Sequence, residues 1–147
     1  MDLAVAVYNV SSLPRLMEMA KVAYGFGVKR LVGARVFGSA AQQIGDLFKY
    51  ALKVGGEVLI FNDLRDAYEA LRPDVVIALT RPEKGVEPLG EPPQGRTLLV
   101  VSGTDLPITP RELPQGAKLA YAVDADIGSV GQLAVALYKL KKELTRL

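Results

Sequence analysis

Short apolar runs alternate with segments of helical periodicity along the whole chain. Bounded apolar runs of this length are typical of buried strands. They predict six strands, at 3–10, 30–37, 57–61, 74–80, 97–101 and 117–123. The intervening patterns predict a helix from Leu13 to the glycines at 25 and 27, and further helices at 40–53, 63–72 and 127–145. Such alternation favours an α/β fold with a mostly parallel sheet and helices on both faces. With no linker or repeat, we expect one domain over residues 1–147.

Polar residues mark where these elements begin and end. Ser11 and Ser12 are good N-caps for the first helix, and Pro14 suits its first turn. Asn62 or Asp63 could cap the helix that follows the third strand. Residues 81–96 contain four prolines and three glycines, which predicts a loop. A short turn is expected around the "TPREL" segment that follows the fifth strand.

The last helix is apolar nearly all round in its middle, "LAVALY". A surface helix normally keeps one polar face. This helix must therefore be covered on two sides, by its own sheet and by a second element. A partner subunit is the favoured cover, and a loop of the same chain is the alternative.

Parallel sheets bind ligands at the carboxyl ends of their strands. The segments of interest are therefore the loops Asn9–Ser12, Thr80–Glu83, Ser102–Pro107 and Asp124–Gly128. The fifth strand leaves the sheet through "SGTDLP", a turn that brings backbone close to whatever lies there. These loops are the candidate site.

Composition narrows the chemistry. The chain has no cysteine and no histidine, which excludes Ser-His-Asp and Cys-His catalysis and Cys/His zinc sites. No apolar run approaches the roughly 18 residues that cross a bilayer, and the N-terminus has no signal-peptide pattern, so we expect a cytoplasmic protein with no membrane partner.

Charge is uneven although the net charge is only +2. Residues 1–38 hold five basic and two acidic side chains, and the tail from Lys139 holds four basic and one acidic. Residues 57–91 are acidic instead, with eight acidic and four basic side chains. A polyanionic partner such as RNA is one interpretation, and an ordinary solvated surface is the other.

Common nucleotide and metal motifs do not account for the chain. "GFGV" lacks the third glycine of a dinucleotide fingerprint and follows a helix, and no phosphate-loop pattern is present. Asp63, Asp66 and Glu69 share one helical face and could hold a metal as in a nuclease, but a solvated helix face explains them better. Asp105 has no evident acidic partners for a phosphoacceptor site. We therefore expect no metal.

Three segments, in order, resemble the SPOUT methyltransferases of the SpoU/TrmD class. They are "VYNVSSLPRLMEMAKVAYGFGV", "LLVVSGTDLPITPREL" and "DIGSVGQLAVALYKL". The chain is most similar to an archaeal SPOUT-like group that carries the label "RecB-family nuclease". The resemblance implies a C-terminal trefoil knot, S-adenosylmethionine (SAM) bound in it, and a homodimer formed through the first and last helices. It implies methylation of RNA, tRNA or rRNA, at a ribose or a base.

The resemblance also implies site residues. Asn9, Arg15 and Lys21 are the acceptor-side catalytic candidates. The cofactor-binding candidates are Leu79, Thr80, Ser102, Gly103, Thr104, Asp105, Leu106, Ala122, Val123, Asp124, Ile127, Gly128 and Val130. Gly103 is expected to let backbone approach the cofactor.

The chain departs from the SpoU pattern at two places. Counting back from "GFGV" puts Lys21 where many SpoU enzymes have an arginine, and Lys lacks the guanidinium fork. Asp126-Ile127-Gly128 stands where the family has Ser-Leu-Asn, and Gln132, one turn further on, is a candidate for the missing amide. A knotted SAM- or RNA-binding dimer without methyl transfer is therefore the alternative function, and a nuclease is a third.

Overall fold

A computed structural model describes the backbone of residues 2–145 and the side chains as far as Lys141. Most of the basic tail therefore lies outside the described side chains. The strands are β1 (Asp2–Val10), β2 (Arg30–Val36), β3 (Glu57–Phe61), β4 (Val75–Leu79), β5 (Glu87–Pro88), β6 (Arg96–Ser102) and β7 (Lys118–Tyr121). The helices are α1 (Leu13–Gly25), α2 (Gly38–Gln42), α3 (Ile44–Val54), α4 (Leu64–Leu71) and α5 (Gly128–Thr145), with a 3-10 turn at Pro110–Glu112.

The strands form one sheet in the order β3-β2-β1-β6-β4-β7-β5. Every neighbouring pair is parallel. One apolar core lies between the sheet and helices α1, α2, α3 and α5, and a second lies between the sheet and α4 with the segment 108–117. The predicted parallel α/β architecture with both faces covered is confirmed.

In β1 and β2, the regular alternation of side chains between the two faces of the sheet is broken at the same level. In β1, Tyr8 packs in the α4-side core, and Val10 packs two residues later in the opposite core, although extended alternation would return it to the first. The residue between, Asn9, has a left-handed φ of 65°, and Arg35 between its partners in β2 has a φ of 55°. A left-handed residue interrupts the extended backbone, so the ends of β1 and β2 bend at the same level. Non-glycine residues rarely adopt this conformation.

Three elements differ from the sequence prediction. The expected helix at 40–53 is divided at Gln43, whose φ of −112° and ψ of 26° interrupt regular helix between α2 and α3. The expected loop at 81–96 contributes the short edge strand β5, where Pro88 is tolerated because an edge residue need not donate to the sheet. The last strand is shorter than 117–123 because Ala122 and Val123 donate their backbone N–H groups to a side chain instead.

α1 and α5 pack side by side on the same face of the sheet. The buried side chains of α1 include Leu16 and Met19, and those of α5 include Leu133 and Leu137. Ser12 caps α1 by accepting from the Arg15 backbone N–H at 3.2 Å. Among the described residues, no helix is long and apolar enough to cross a membrane.

Candidate functional site

A cleft opens at the carboxyl ends of the neighbouring strands β6, β4 and β7, where α5 begins. The cleft is narrow, with room of about 20 Å³ for a water-sized sphere. The lining residues are Leu79, Thr80, Arg81, Ser102, Asp105, Leu106, Pro107, Asp126, Gly128, Ser129 and Gln132. Three of the four loops that follow strands therefore meet at one place, as expected for a parallel sheet.

Hydroxyl side chains shape the loop after β6. The Ser102 Oγ accepts from the Thr104 backbone N–H at 3.1 Å, and the Thr104 Oγ1 accepts from that of Leu106 at 3.1 Å. Such turns occupy backbone donors that would otherwise need water. The Ser129 hydroxyl on α5 donates to the Thr104 carbonyl and ties the loop to that helix. The loop is therefore ordered by its own sequence, "SGTDL".

Gly103 is required by the neighbouring strand. A Cβ at this position would lie 2.4 Å from the Cβ of Val10 and 2.7 Å from the carbonyl oxygen of Asn9. The Gly103 N–H also donates to the Tyr8 carbonyl at 2.7 Å. Gly103 therefore lets the loop approach the backbone of bent β1, and its expected approach to a cofactor stays a prediction.

Asp105 connects the loop to two helices. Its carboxylate accepts from both guanidinium nitrogens of Arg15, at 3.2 and 3.4 Å, and from the Ser129 backbone N–H at 3.1 Å. That backbone bond at the start of α5, followed by the Arg15 pair, holds the pKa of Asp105 below its usual value. Arg15 is thus fixed at the mouth of the cleft by a side chain that lines it.

Gln132 organises the last loop from inside the protein. It is 2% exposed. Its Oε1 accepts from the N–H groups of Ala122 and Val123 at 2.7 and 3.2 Å, and its Nε2 donates to the carbonyls of Val123 and Ala125 at 3.1 Å each. One amide therefore satisfies four backbone groups of a loop that lacks regular structure.

One buried polar atom in the cleft has no partner. The hydroxyl of Thr80 is buried, in a residue 7% exposed, and it makes no hydrogen bond within the described part of the chain. Buried hydroxyls are nearly always hydrogen-bonded, so this one marks a position where a ligand atom could bind. Arg81, the next residue, forms two ion pairs at the cleft. Its Nε lies 3.8 Å from Glu83 Oε2, and its Nη1 lies 3.8 Å from Asp126 Oδ2.

Comparison with protein families shows which family the chain belongs to. The family model described as RecB-family nuclease (DUF2122) matches residues 38–139. This chain belongs to that family. Two relatives named as candidate type II restriction enzymes agree with the match. The protein of Aeropyrum pernix is 36% identical over 140 residues, 91% of this chain and 89% of its own. The protein of Methanocaldococcus jannaschii is 34% identical over 142 residues, 95% of this chain and 97% of its own.

The fold of this RecB-family nuclease (DUF2122) member is that of the SpoU/TrmH-type methylases. A candidate methylase of Neisseria gonorrhoeae superposes with a TM-score of 0.74 and 13% identity, covering 99% of this chain and 84% of its own. The TrmH/SpoU tRNA modifying enzyme of A. aeolicus superposes with a TM-score of 0.67 and 16% identity, covering 99% and 76%. The resemblance to the SPOUT group and to the "RecB-family nuclease" label is therefore confirmed.

The structure brings together about half of the cofactor-site residues predicted from the sequence. Those that line the cleft are Leu79, Thr80, Ser102, Asp105, Leu106 and Gly128. Gly103, Thr104, Ala122 and Val123 lie in the loops that form it, while Asp124, Ile127 and Val130 are not among its lining residues. All remain predictions as binding residues.

The acceptor-side candidates lie apart from one another. Arg15 reaches the cleft through Asp105, and Asn9 lies behind the cleft with its backbone against Gly103. Lys21 is further along α1, where its ammonium is 5.9 Å from the ring centroid of Tyr50 on α3.

Among the residues that line the cleft, Arg81, Pro107, Asp126 and Ser129 were not named individually as cofactor residues, although the first three lie in the loops that the sequence marked as the candidate site. Each is next to, or within two residues of, a residue that was included, so proximity along the loops was the available signal.

Proposed function

We propose that this family member is a SAM-dependent RNA methyltransferase of the SpoU type. The observation that carries the proposal is the cleft at the ends of β6, β4 and β7, which combines an unpartnered buried hydroxyl with an arginine fixed at the cleft mouth. Support also comes from a SpoU-type fold that extends over the whole chain. The proposal includes the trefoil knot of that group.

The cleft residues fit the cofactor. The orphan Thr80 hydroxyl offers a hydrogen bond for adenine or ribose. Leu79 and Leu106 offer apolar walls, and the carboxylates of Asp105 and Asp126 favour a cation nearby. When bound, SAM supplies a methyl group that its sulfonium already activates, so the protein needs no histidine or cysteine for that chemistry.

Residues of the chain would position the cofactor and the RNA. Gln132 holds the loop 122–125 in one conformation before any ligand arrives. Arg15 is paired with Asp105 and would exchange that carboxylate for an RNA phosphate, which a guanidinium binds in the two-point manner that favours arginine over lysine. Alignment of donor and acceptor accounts for much of the rate of such reactions.

We also propose that the active form is a homodimer through α1 and α5. Leu106, Ile127 and Tyr138 are large apolar or aromatic side chains that are 71%, 44% and 55% exposed around the cleft and α5. A second copy would cover them and bring a second set of basic side chains for RNA. Sedimentation at several concentrations tests the dimer.

A SAM-binding protein without methyl transfer is the second candidate. The observation that favours it is the Arg15–Asp105 pair, because an arginine that stays paired cannot hold a phosphate. The nuclease suggested by the names of relatives has less support. Across the described residues, no group of three or more carboxylates lies together as a metal site, and Asp63 serves as the N-cap of α4.

Calorimetric titration with SAM, followed by incorporation of labelled methyl into RNA, tests the proposal. We expect heat of binding, a thermal shift and incorporation that is unaffected by a chelator. No heat and no thermal shift at millimolar SAM would contradict both SAM-dependent functions. Binding without incorporation into any RNA would support the second candidate. Metal-dependent cleavage of DNA, lost on changing Asp63 and Asp66, would support the nuclease.

A further inference from the structure

A second and larger cleft lies on the α4 side of the sheet. Its cavity volume is about 570 Å³. It is bounded by the ends of β1 and β2, by α4 and by the 3-10 turn after β6. The first cleft has residues of α5 in its lining, and the two clefts share no lining residue. None of the cofactor-site predictions falls in this second cleft.

Arg35 lines this cleft, has an unusual backbone conformation and contacts the Tyr8 side chain. Its left-handed φ of 55° places it at the bend of β2. Its Nη1 donates to the Tyr8 hydroxyl at 3.3 Å, and its guanidinium carbon is 5.9 Å from the Tyr8 ring centroid. Strained residues of this kind cluster at functional sites, because the surrounding structure must maintain them. The other guanidinium N–H groups of Arg35 have no partner among the described residues.

The acidic residue bonded to the Tyr8 hydroxyl is also held by the 3-10 turn. The Tyr8 hydroxyl donates to Glu112 Oε1 at 3.1 Å. Glu112 Oε2 accepts from both the backbone N–H and the hydroxyl of Thr109, at 2.8 and 3.0 Å. Arg111, the next residue along the turn, lines the cleft and forms no ion pair with any residue that the structure describes. The cleft therefore offers two arginines with unused donors.

Tyr68 adds an unpartnered polar atom. Its hydroxyl is buried and has no hydrogen bond within the described chain, although the side chain lines the cleft. Burial, and then the nearby Tyr8 and Asp63, raise the pKa of Tyr68, so the hydroxyl stays protonated and can donate. Such a group normally has a partner, and here a ligand could supply it.

We propose that this cleft binds a nucleoside monophosphate unit, with the phosphate on Arg35 and Arg111 and the base and sugar toward Tyr68, Leu113 and Asp63. Two arginines provide the forked donors that suit phosphate. The cleft is too large for phosphate alone, and its phenol ring, apolar side chain and carboxylate match a base and ribose hydroxyls. The site is independent of methyl transfer, since it needs neither SAM nor Arg15.

The test is titration of the full-length protein with inorganic phosphate, the four nucleoside monophosphates and a short single-stranded RNA, followed by NMR. We expect at least one monophosphate or the RNA to bind. Arg35→Gln and Tyr68→Phe should weaken that binding about tenfold or more, while Arg65→Gln should change it less than about twofold. Arg65 is the matched control because it lines the same cleft but is highly exposed and pairs with Glu69 at 3.4 Å.

Tyr68→Phe also gives a readout without ligand. Removing a buried hydroxyl that has no partner should raise the melting temperature while it lowers affinity, a combination that a purely structural role would not produce. If RNA binds more tightly than the free monophosphate, the ligand is a nucleotide within RNA. If the two bind equally well, the ligand is a free nucleotide.

Three results would overturn the proposal. The first is no binding of any monophosphate or of the RNA at millimolar concentration. The second is inorganic phosphate binding as tightly as the nucleotides. The third is displacement of the nucleotide by equimolar SAM, with affinity unchanged in Arg35→Gln, because the nucleotide would then occupy the first cleft. Failure of SAM binding alone leaves this site unaffected, so the two proposals fail separately.

Discussion

The carboxylate of Asp105 binds the guanidinium of Arg15 at 3.2 and 3.4 Å across 90 positions of sequence. The same carboxylate accepts from the backbone N–H of Ser129 at 3.1 Å. One side chain therefore joins the start of α1, the loop after β6 and the start of α5. A ligand in the first cleft therefore meets the loop after β6 and the start of α5 in an arrangement that α1 helps to hold.

Arg15→Lys should separate positioning from cofactor binding. Lysine keeps the charge but cannot make two parallel bonds to Asp105 or to a phosphate. We expect methyl transfer to RNA to fall about tenfold or more, because a misplaced acceptor loses rate steeply. The Kd for SAM should change less than about threefold, since Arg15 is not among the lining residues of the cleft.

Lys21→Arg is the control for that experiment, because Lys21 contacts Tyr50 away from the cleft. If Lys21 is the acceptor-side residue instead of Arg15, the control will change transfer and Arg15→Lys will not.

Gln132→Leu should destabilise the protein strongly. The substitution keeps the size of a buried side chain but removes four hydrogen bonds to loop backbone, which leaves the buried N–H of Ala122 unsatisfied. Such losses cost about 2–5 kcal/mol in free energy of unfolding. Denaturant unfolding measures it. Gln42→Leu, at an exposed position of α2, should change the same quantity by about 0.5 kcal/mol or less.

Gly103→Ala should be costly although alanine is small. The new Cβ would lie 2.4 Å from the Val10 Cβ and 2.7 Å from a backbone oxygen, neither of which can move freely. We expect a loss of about 1–3 kcal/mol in free energy of unfolding. Gly45→Ala is the matched control. Nothing lies within 4 Å of its added Cβ, and a helical alanine should stabilise α3 by about 0.5–1 kcal/mol. Equal effects at both sites would contradict this account of Gly103.

Tyr24 should make stability fall at high pH. Burial, then the nearby Glu57 and Tyr50, raise the pKa of this phenol to about 12, and its hydroxyl donates to the Glu57 carbonyl at 2.8 Å. The unfolded value is about 10, so the stabilisation is complete below that pH and is lost as pH rises through the folded value. Unfolding free energies between pH of about 9 and 12 should therefore decline, and Tyr24→Phe should reduce the slope. An unchanged slope in the variant would show that other groups cause the decline.

The arrangement of strands and helices was predictable because each element carries its own pattern. Buried parallel strands are short and apolar, and the predicted bounds of β3 agree with the structure. Cap residues such as Ser12 and Asp63 act within their own helix. The break at Gln43 and the short β5 were missed because neither has a local hydrophobic signal.

The site was predictable only as far as the loops that form it. Topology brings the ends of neighbouring parallel strands together, so Thr80, Ser102 and Gly128 could be grouped before the structure was known. The pairing of Arg15 with Asp105 could not be predicted, because it depends on how α1 tilts toward a loop far away in sequence. The cleft around Arg35 and Tyr68 was missed for the same reason.

The position of β1 in the sheet has a consequence for how the protein is made. β1 lies between β2, which follows it directly, and β6, which ends only at Ser102. During synthesis, one edge of β1 therefore stays unpaired until the residues of β6 have left the ribosome. Long-range parallel pairing of this kind slows folding and leaves an apolar strand open to wrong partners. Substitutions that weaken β6 should thus reduce the yield of folded protein more than their effect on final stability suggests.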